Sequence, residues 1–239
     1  TSSLKIQFLF FFCLFGLNSF CQSTEKYFFN RGNIAKLTAN VTKDMYSEED
    51  KVLAIHEWIT HNLKWKNSKP RETNYNTARK ALLKRKGPAN SYAILFDEMC
   101  KFAKIECEIV RGNVTPEFSV NYNPKAYEIS NHSWNAVKIN GKWFLLDVTF
   151  DAGCIQKKKY SVKKFIEQNI VIPYPGGAKR FYFIRKKTKF IHKPSRVYYL
   201  KNKEMLETHF PLMPMWQLSE DTISSNIYRK KSWERKAYI

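Results

Sequence analysis

Apolar and polar positions divide the 239-residue chain into a few patterned segments. The first is an apolar run from Ile6 to Leu17, preceded by the single basic residue Lys5 and followed by Ser19-Phe20-Cys21. A basic start, a short apolar stretch and small residues at the cleavage positions predict a secretory signal peptide over residues 1–21, cut after Cys21. The run is shorter than a membrane-spanning helix needs, and polar Gln22-Ser23-Thr24-Glu25 follows at once. After a polar lead-in over 22–44, Ser47-Glu48-Glu49-Asp50 reads as a capped helix start, with Val52, Ile55, Ile59 and Leu63 recurring at helical spacing. Residues 64–76 are polar, contain Pro70 and predict a loop. Thr77 then caps a short helix through Lys86, which Gly87-Pro88 ends. A further helix opens near Ala89-Asn90-Ser91. It carries Ala93, Ile94, Leu95, Phe96, Met99, Cys100, Phe102 and Ala103, apolar nearly all round, as expected of a central buried helix. A strand over 106–112 and a polar loop over 113–130 follow.

The pattern then changes to period two. Residues 131–150 hold two runs rich in β-branched, aromatic and aliphatic side chains flanking Asn140-Gly141, the strongest short signal for a two-residue type I′ hairpin. With that loop, Ile139 faces Lys142, Trp134 faces Asp147 and His132 faces Thr149. One face then carries His132, Trp134, Ala136, Trp143, Leu145, Asp147 and Thr149. The other carries Val137, Ile139, Phe144, Leu146, Val148 and Phe150. His132 and Asp147 become diagonal neighbours with Cα atoms roughly 7–8 Å apart, within side-chain reach. An imidazole oriented by a carboxylate is what a nucleophile needs beside it.

Composition adds two constraints. With 41 Lys and Arg against 21 Asp and Glu the formal charge is +20, and the basic residues come in runs: Arg79-Lys80 with Lys84-Arg85-Lys86, Lys157-Lys158-Lys159, Arg185-Lys186-Lys187 and Arg229-Lys230-Lys231. Such a surface suits an anionic envelope polymer or a membrane surface, and export argues against nucleic acid. Beyond the leader the cysteines are Cys100, Cys107 and Cys154, an odd set that allows at most one internal disulfide. His56-Glu57-Trp58-Ile59-Thr60-His61 suggests a zinc-protease helix, but its histidines are five apart, about 140° round a helix, where that motif needs four. No metal is expected there.

Four blocks together resemble the transglutaminase-like superfamily, most closely the bacterial relatives of kyphoscoliosis peptidase. They are Lys86-Gly87-Pro88-Ala89-Asn90-Ser91-Tyr92-Ala93, His132-Ser133-Trp134-Asn135, Gly141-Lys142-Trp143-Phe144-Leu145-Leu146-Asp147-Val148-Thr149, and His209-Phe210-Pro211 with Trp216-Gln217-Leu218. The resemblance covers residues 45–220, leaving 221–239 as a basic tail. It implies an α+β, papain-like fold with a central buried helix on an antiparallel sheet, and a Cys-His-Asp site with neither cofactor nor metal. His132 and Asp147 match the base and the orienting acid, and Asn90 and Trp134 line the cleft.

Gly87, Tyr92 and Ala93 fix the register, and the family's cysteine position holds Ala89. A methyl group cannot attack a carbonyl. Ser91 lies about 200° round the helix, and Cys100 is eleven residues on, about 16 Å down the axis. Cys107 falls in a strand and Cys154 in a loop beyond the hairpin. The reading is a catalytically silent protein with a binding or structural role, its partner a protein or peptide ligand. The alternatives are an active thiol peptidase or acyltransferase using Cys154, and a basic binder of envelope polyanions. Geometrically, the first turn of the buried helix should rest on the His132 face of the hairpin. The Ala89 methyl should then lie roughly 3.5–5 Å from the imidazole.

Overall fold

The structure is a computed structural model that describes residues 33–67, 75–114, 130–157 and 188–228. Helix α1 (Ile34–Val41) falls where the sequence predicts a polar lead-in. Asn33 caps it by accepting from Lys36 N at 2.9 Å, and Ile34 and Leu37 turn into the core. Helix α2 (Glu48–Asn62) starts as its sequence demands: Ser47 accepts from Asp50 N at 3.0 Å, and three acidic residues occupy the first turn, where the helix dipole favours them. Two-residue strands β1 (Lys64–Trp65) and β2 (Lys86–Gly87) pair in parallel on either side of α3 (Tyr75–Lys84), which begins at Tyr75 instead of the expected Thr77 cap. Arg85, at φ 50°, ends that helix in the left-handed region.

Helix α4 (Ala89–Phe102) is the central buried helix, with Tyr92, Ala93, Leu95, Phe96, Met99 and Cys100 all in the core. Strands β3 (Cys107–Val114), β4 (His132–Ile139) and β5 (Lys142–Leu146) follow, then the short α5 (Val148–Asp151), β6 (Gly153–Lys157), β7 (Thr188–His192) and β8 (His209–Pro211), with 3-10 turns at Lys203–Glu207 and Pro214–Gln217. The main sheet is antiparallel in the order β5-β4-β3-β8, and β6 pairs with β7. This is the α+β, papain-like architecture that the resemblance implies.

The hairpin register is the expected one, from Asn135 opposite Leu146 to Ile139 opposite Lys142. It stops sooner than expected. Asp147 ends the second strand by capping α5, so Val148, Thr149 and Phe150 are helical and His132 has no strand partner at Thr149.

A second correction concerns the faces. Asn135 donates from Nδ2 to Ala93 O at 3.0 Å, which puts α4 on the Asn135 side of β4 and not on the side of Trp134 and Ala136. The Trp134 side is taken by the late chain. Val110, Trp134, Ala136 and Leu145 pack with Met205 and Trp216, and Trp143, Tyr198 and Leu218 border the cluster. Removing a fully buried indole such as Trp134 costs about 3–5 kcal/mol, so the sheet's second face is a principal core.

Of the residues expected to form a basic tail, Ile223 and Tyr228 pack on Phe210, the Tyr228 and Phe210 rings 4.9 Å apart. The leader, most of the 113–130 loop, and the basic runs after Lys157, at Arg185-Lys186-Lys187 and from Arg229 onward lie outside the described residues.

Candidate functional site

Asp147 is the hub. As the cap of α5 it accepts through Oδ1 from Thr149 N at 2.7 Å and Phe150 N at 3.1 Å, two of the orphan donors a helix start leaves. These bonds fix the carboxylate and turn its other oxygen to the sheet. There Oδ2 accepts from His132 Nε2 at 2.5 Å and from His209 Nε2 at 3.0 Å. His132 and Asp147 therefore meet as the hairpin predicts, although Asp147 reaches the ring from a helix cap.

In the sequence His209 stands out only as part of a family block, without a role. It arrives on β8, whose pairing sets Val114 opposite His209 and Gly112 opposite Pro211. Gly112 is what lets β8 approach. A Cβ there would lie 2.2 Å from Phe210 O and 2.5 Å from the Trp134 ring, closer than any real contact. Thr208 Oγ1 lies 2.7 Å from His209 Nδ1.

An ionised carboxylate only accepts hydrogen bonds. Both imidazoles therefore donate through Nε2, and a neutral ring keeps its lone pair at Nδ1. Burial works against charge on Asp147, but attraction and hydrogen bonds from His132 and His209 outweigh it and hold the carboxyl well below the usual range. Burial pulls His209 below the ordinary histidine value of 6.5, with Asp147 opposing only in part. Tyr92, one turn into α4, is pushed strongly up by burial and then by the Asp147 charge, so the start of α4 lies within the field of this carboxylate.

The cluster is dry. Asp147 and His209 are fully buried and His132 is 8% exposed. Phe150 lies 4.7 Å from the His132 ring and 4.9 Å from the His209 ring, and Trp134 meets His209 edge-on at 4.9 Å.

The other site positions are more dispersed. Ala89 opens α4 and is buried, and Asn90 is half-buried. Cys100 is buried in the same helix. Asn135 Nδ2 lies 3.5 Å from Cys107 Sγ, and burial beside Cys100 pushes the Cys107 thiol well up, the opposite of an activated thiol. Cys154 is exposed, and it sits in β6 opposite Ile191 instead of in the expected loop.

A second buried pair carries no sign in the sequence. His56 Nε2 lies 2.9 Å from Asp151 Oδ2, and Asp151 Oδ1 accepts from Ser195 Oγ at 2.8 Å and Tyr198 N at 3.0 Å. His61, its neighbour in the rejected zinc motif, instead turns Nδ1 back to Glu57 O at 2.8 Å.

Residues 35–148 match the family described as the transglutaminase-like superfamily. This stretch is similar to a transglutaminase-like core. The match closes one residue after Asp147, so it takes in His132 and Asp147 and leaves out His209. Kyphoscoliosis peptidase of Homo sapiens is 24% identical over 216 residues, covering 87% of this chain and 28% of the relative, and the Mus musculus protein gives the same figures. The chain thus spans little more than a quarter of the length of the curated relatives it matches. Among solved structures, a candidate cysteine protease of Cytophaga hutchinsonii is similar at 24% identity and a TM-score of 0.39, over 48% of this chain and 36% of that one.

Proposed function

We propose that this protein is an exported, catalytically silent transglutaminase-like protein that uses the former active-site cleft to bind a protein or peptide segment. The observation that carries the reading is chemical. A base and its orienting acid are kept in hydrogen-bonded form, His132 on Asp147, while the helix that supplies the family's thiol begins with Ala89. In the family register Ala89 stands where the nucleophile would, at the start of α4. Without the thiol no acyl-enzyme can form, so amide hydrolysis and transamidation lose their covalent route. What remains is an imidazole whose Nδ1 lone pair can accept a hydrogen bond from a bound backbone or side-chain donor. Export rests on the sequence of residues 1–21 and is part of the proposal.

Purified protein is assayed with peptide amide and glutamine-donor substrates and with a thiol-directed alkylating probe at neutral pH. The expected result is no turnover and slow labelling. Ala89→Cys should gain a thiol that labels at least about tenfold faster than a free cysteine, and adding His132→Ala should remove the gain. Turnover in the unaltered protein that disappears when Cys154 is alkylated would replace this reading with the active thiol enzyme.

The basic surface supports a second reading, a binder of envelope polyanions. Arg79, Lys80, Lys84, Arg85 and Lys86 are all exposed on or just after α3.

A further inference from the structure

Three potential ligands converge at the hub: His132, Asp147 and His209 each offer one ligand atom, and these atoms all lie within 4.8 Å of one another. We infer that these three residues form a binding site for a divalent transition-metal ion of the zinc type, anchored by His132 on β4, by Asp147 at the α5 cap and by His209 on β8.

The donor set is the first argument. Two imidazoles and one carboxylate suit zinc and its neighbours, whereas calcium and magnesium prefer all-oxygen shells. The supports behind the donors are the second. Metal ligands are oriented by partners on their far side. Here Asp147 Oδ1 is fixed by the N–H groups of Thr149 and Phe150, and His209 Nδ1 faces the Thr208 hydroxyl. The third is the enclosure. Rings of Phe150, Trp134 and Tyr198 surround the cluster, His132 and His209 are the groups that act on the Asp147 charge, and the low exposure strengthens attraction between a cation and the carboxylate.

The geometry needs only a modest adjustment. Zinc bonds of about 2.0–2.1 Å in a tetrahedron separate neighbouring ligand atoms by about 3.3 Å. The separations from Asp147 Oδ2 are 2.5 Å to His132 and 3.0 Å to His209, so side-chain shifts of less than the carboxylate's own width open the space. Each ring must coordinate through its Nε2 lone pair, so its proton moves to Nδ1. For His209 that new N–H donates to Thr208 Oγ1, which becomes the acceptor. His132, the one ligand with surface exposure, marks the side from which a water or a carboxylate completes the fourth position. Metal binding would leave the His132 proton on Nδ1, so the zinc-bound form is a state distinct from the one whose Nδ1 accepts from a ligand. Position 89 enters neither the donor set nor the zinc titration, so the inference and the proposed function can fail separately.

The test uses the full chain without a histidine tag, stripped with a chelator. Zinc chloride is titrated calorimetrically, and cobalt(II) is added in parallel as a spectroscopic probe. The expected result is one zinc per chain with Kd of about 1 µM or tighter, and a cobalt spectrum of a low-coordinate nitrogen and oxygen site without thiolate charge transfer. His209→Gln should weaken zinc by at least about tenfold, while His61→Gln leaves the titration unchanged. Should His209→Gln fail to fold, the cobalt spectrum of the unaltered chain and a zinc-dependent rise in its Tm carry the decision. No stoichiometric binding, equal affinity in a folded His209→Gln, or a thiolate band in the cobalt spectrum would overturn the inference and leave a purely hydrogen-bonded cluster.

Discussion

Gly112 shows how much one missing atom controls. It holds its place because Phe210 O and the Trp134 ring occupy the space a Cβ would take. Gly112→Ala should cost about 3 kcal/mol, seen as a fall in the urea midpoint at unchanged slope, since backbone cannot yield as a flexible side chain can. Asp97 makes the opposite case. It is buried at 5% exposure, and burial raises its pKa above the ordinary 3.8, with Lys101 at 2.7 Å only partly opposing and Glu98 and Glu108 adding to the rise. A carboxyl raised in the folded state contributes stability below its unfolded pKa that is lost as pH climbs through the folded one. Asp97→Asn should therefore gain on the original protein as pH rises above 3.8 and hold a constant advantage at neutral pH. Paired urea melts from about pH 4 to about pH 7 check this, and an advantage that shrinks with rising pH would contradict it.

At the scale of elements, the hairpin is where sequence speaks most directly. Asn140 at φ 49° and Gly141 at φ 77° make the turn that the Asn-Gly pair encodes, and nothing lies within 4 Å of where a Cβ on Gly141 would stand. Gly141→Ala should thus cost only the left-handed conformation, about 1 kcal/mol in a thermal or urea melt. The turn, the register, the cap at Ser47 and the buried α4 are all legible in the sequence because their causes are local. The end of β5 is not. Val148, Thr149 and Phe150 have strand propensities, but the Asp147 carboxylate satisfies two backbone N–H groups of a helix start, and that local bond prevails. Nor can the face that receives α4 be read, because the hairpin looks apolar on both sides and the choice belongs to Met205 and Trp216, far along the chain. For the same reason His132 and Asp147 are legible as a pair while His209 and the His56–Asp151 bond are not. A motif fixes neighbours in a hairpin, but it carries no sign of a partner brought in by another strand.

For the whole molecule, charge and topology matter most. A formal +20 predicts retention on heparin and on anionic vesicles that weakens steeply between low and high salt, through counterion release and screening of surface charge. Elution independent of salt would count against it. The return of the late chain over the Trp134 face has a different consequence, in the order of synthesis. When residue 148 has left the ribosome, every residue of the matched core has been made, yet Val110, Trp134, Ala136 and Leu145 still lack Met205 and Trp216, and Asp147 lacks one of its two imidazoles. The nascent chain must wait with an open apolar face until Trp216 emerges, which exposes it to holdases meanwhile. A chain stopped at Val148 should accordingly be degraded by trypsin at low doses and aggregate on concentration, while one stopped after Tyr228 resists both.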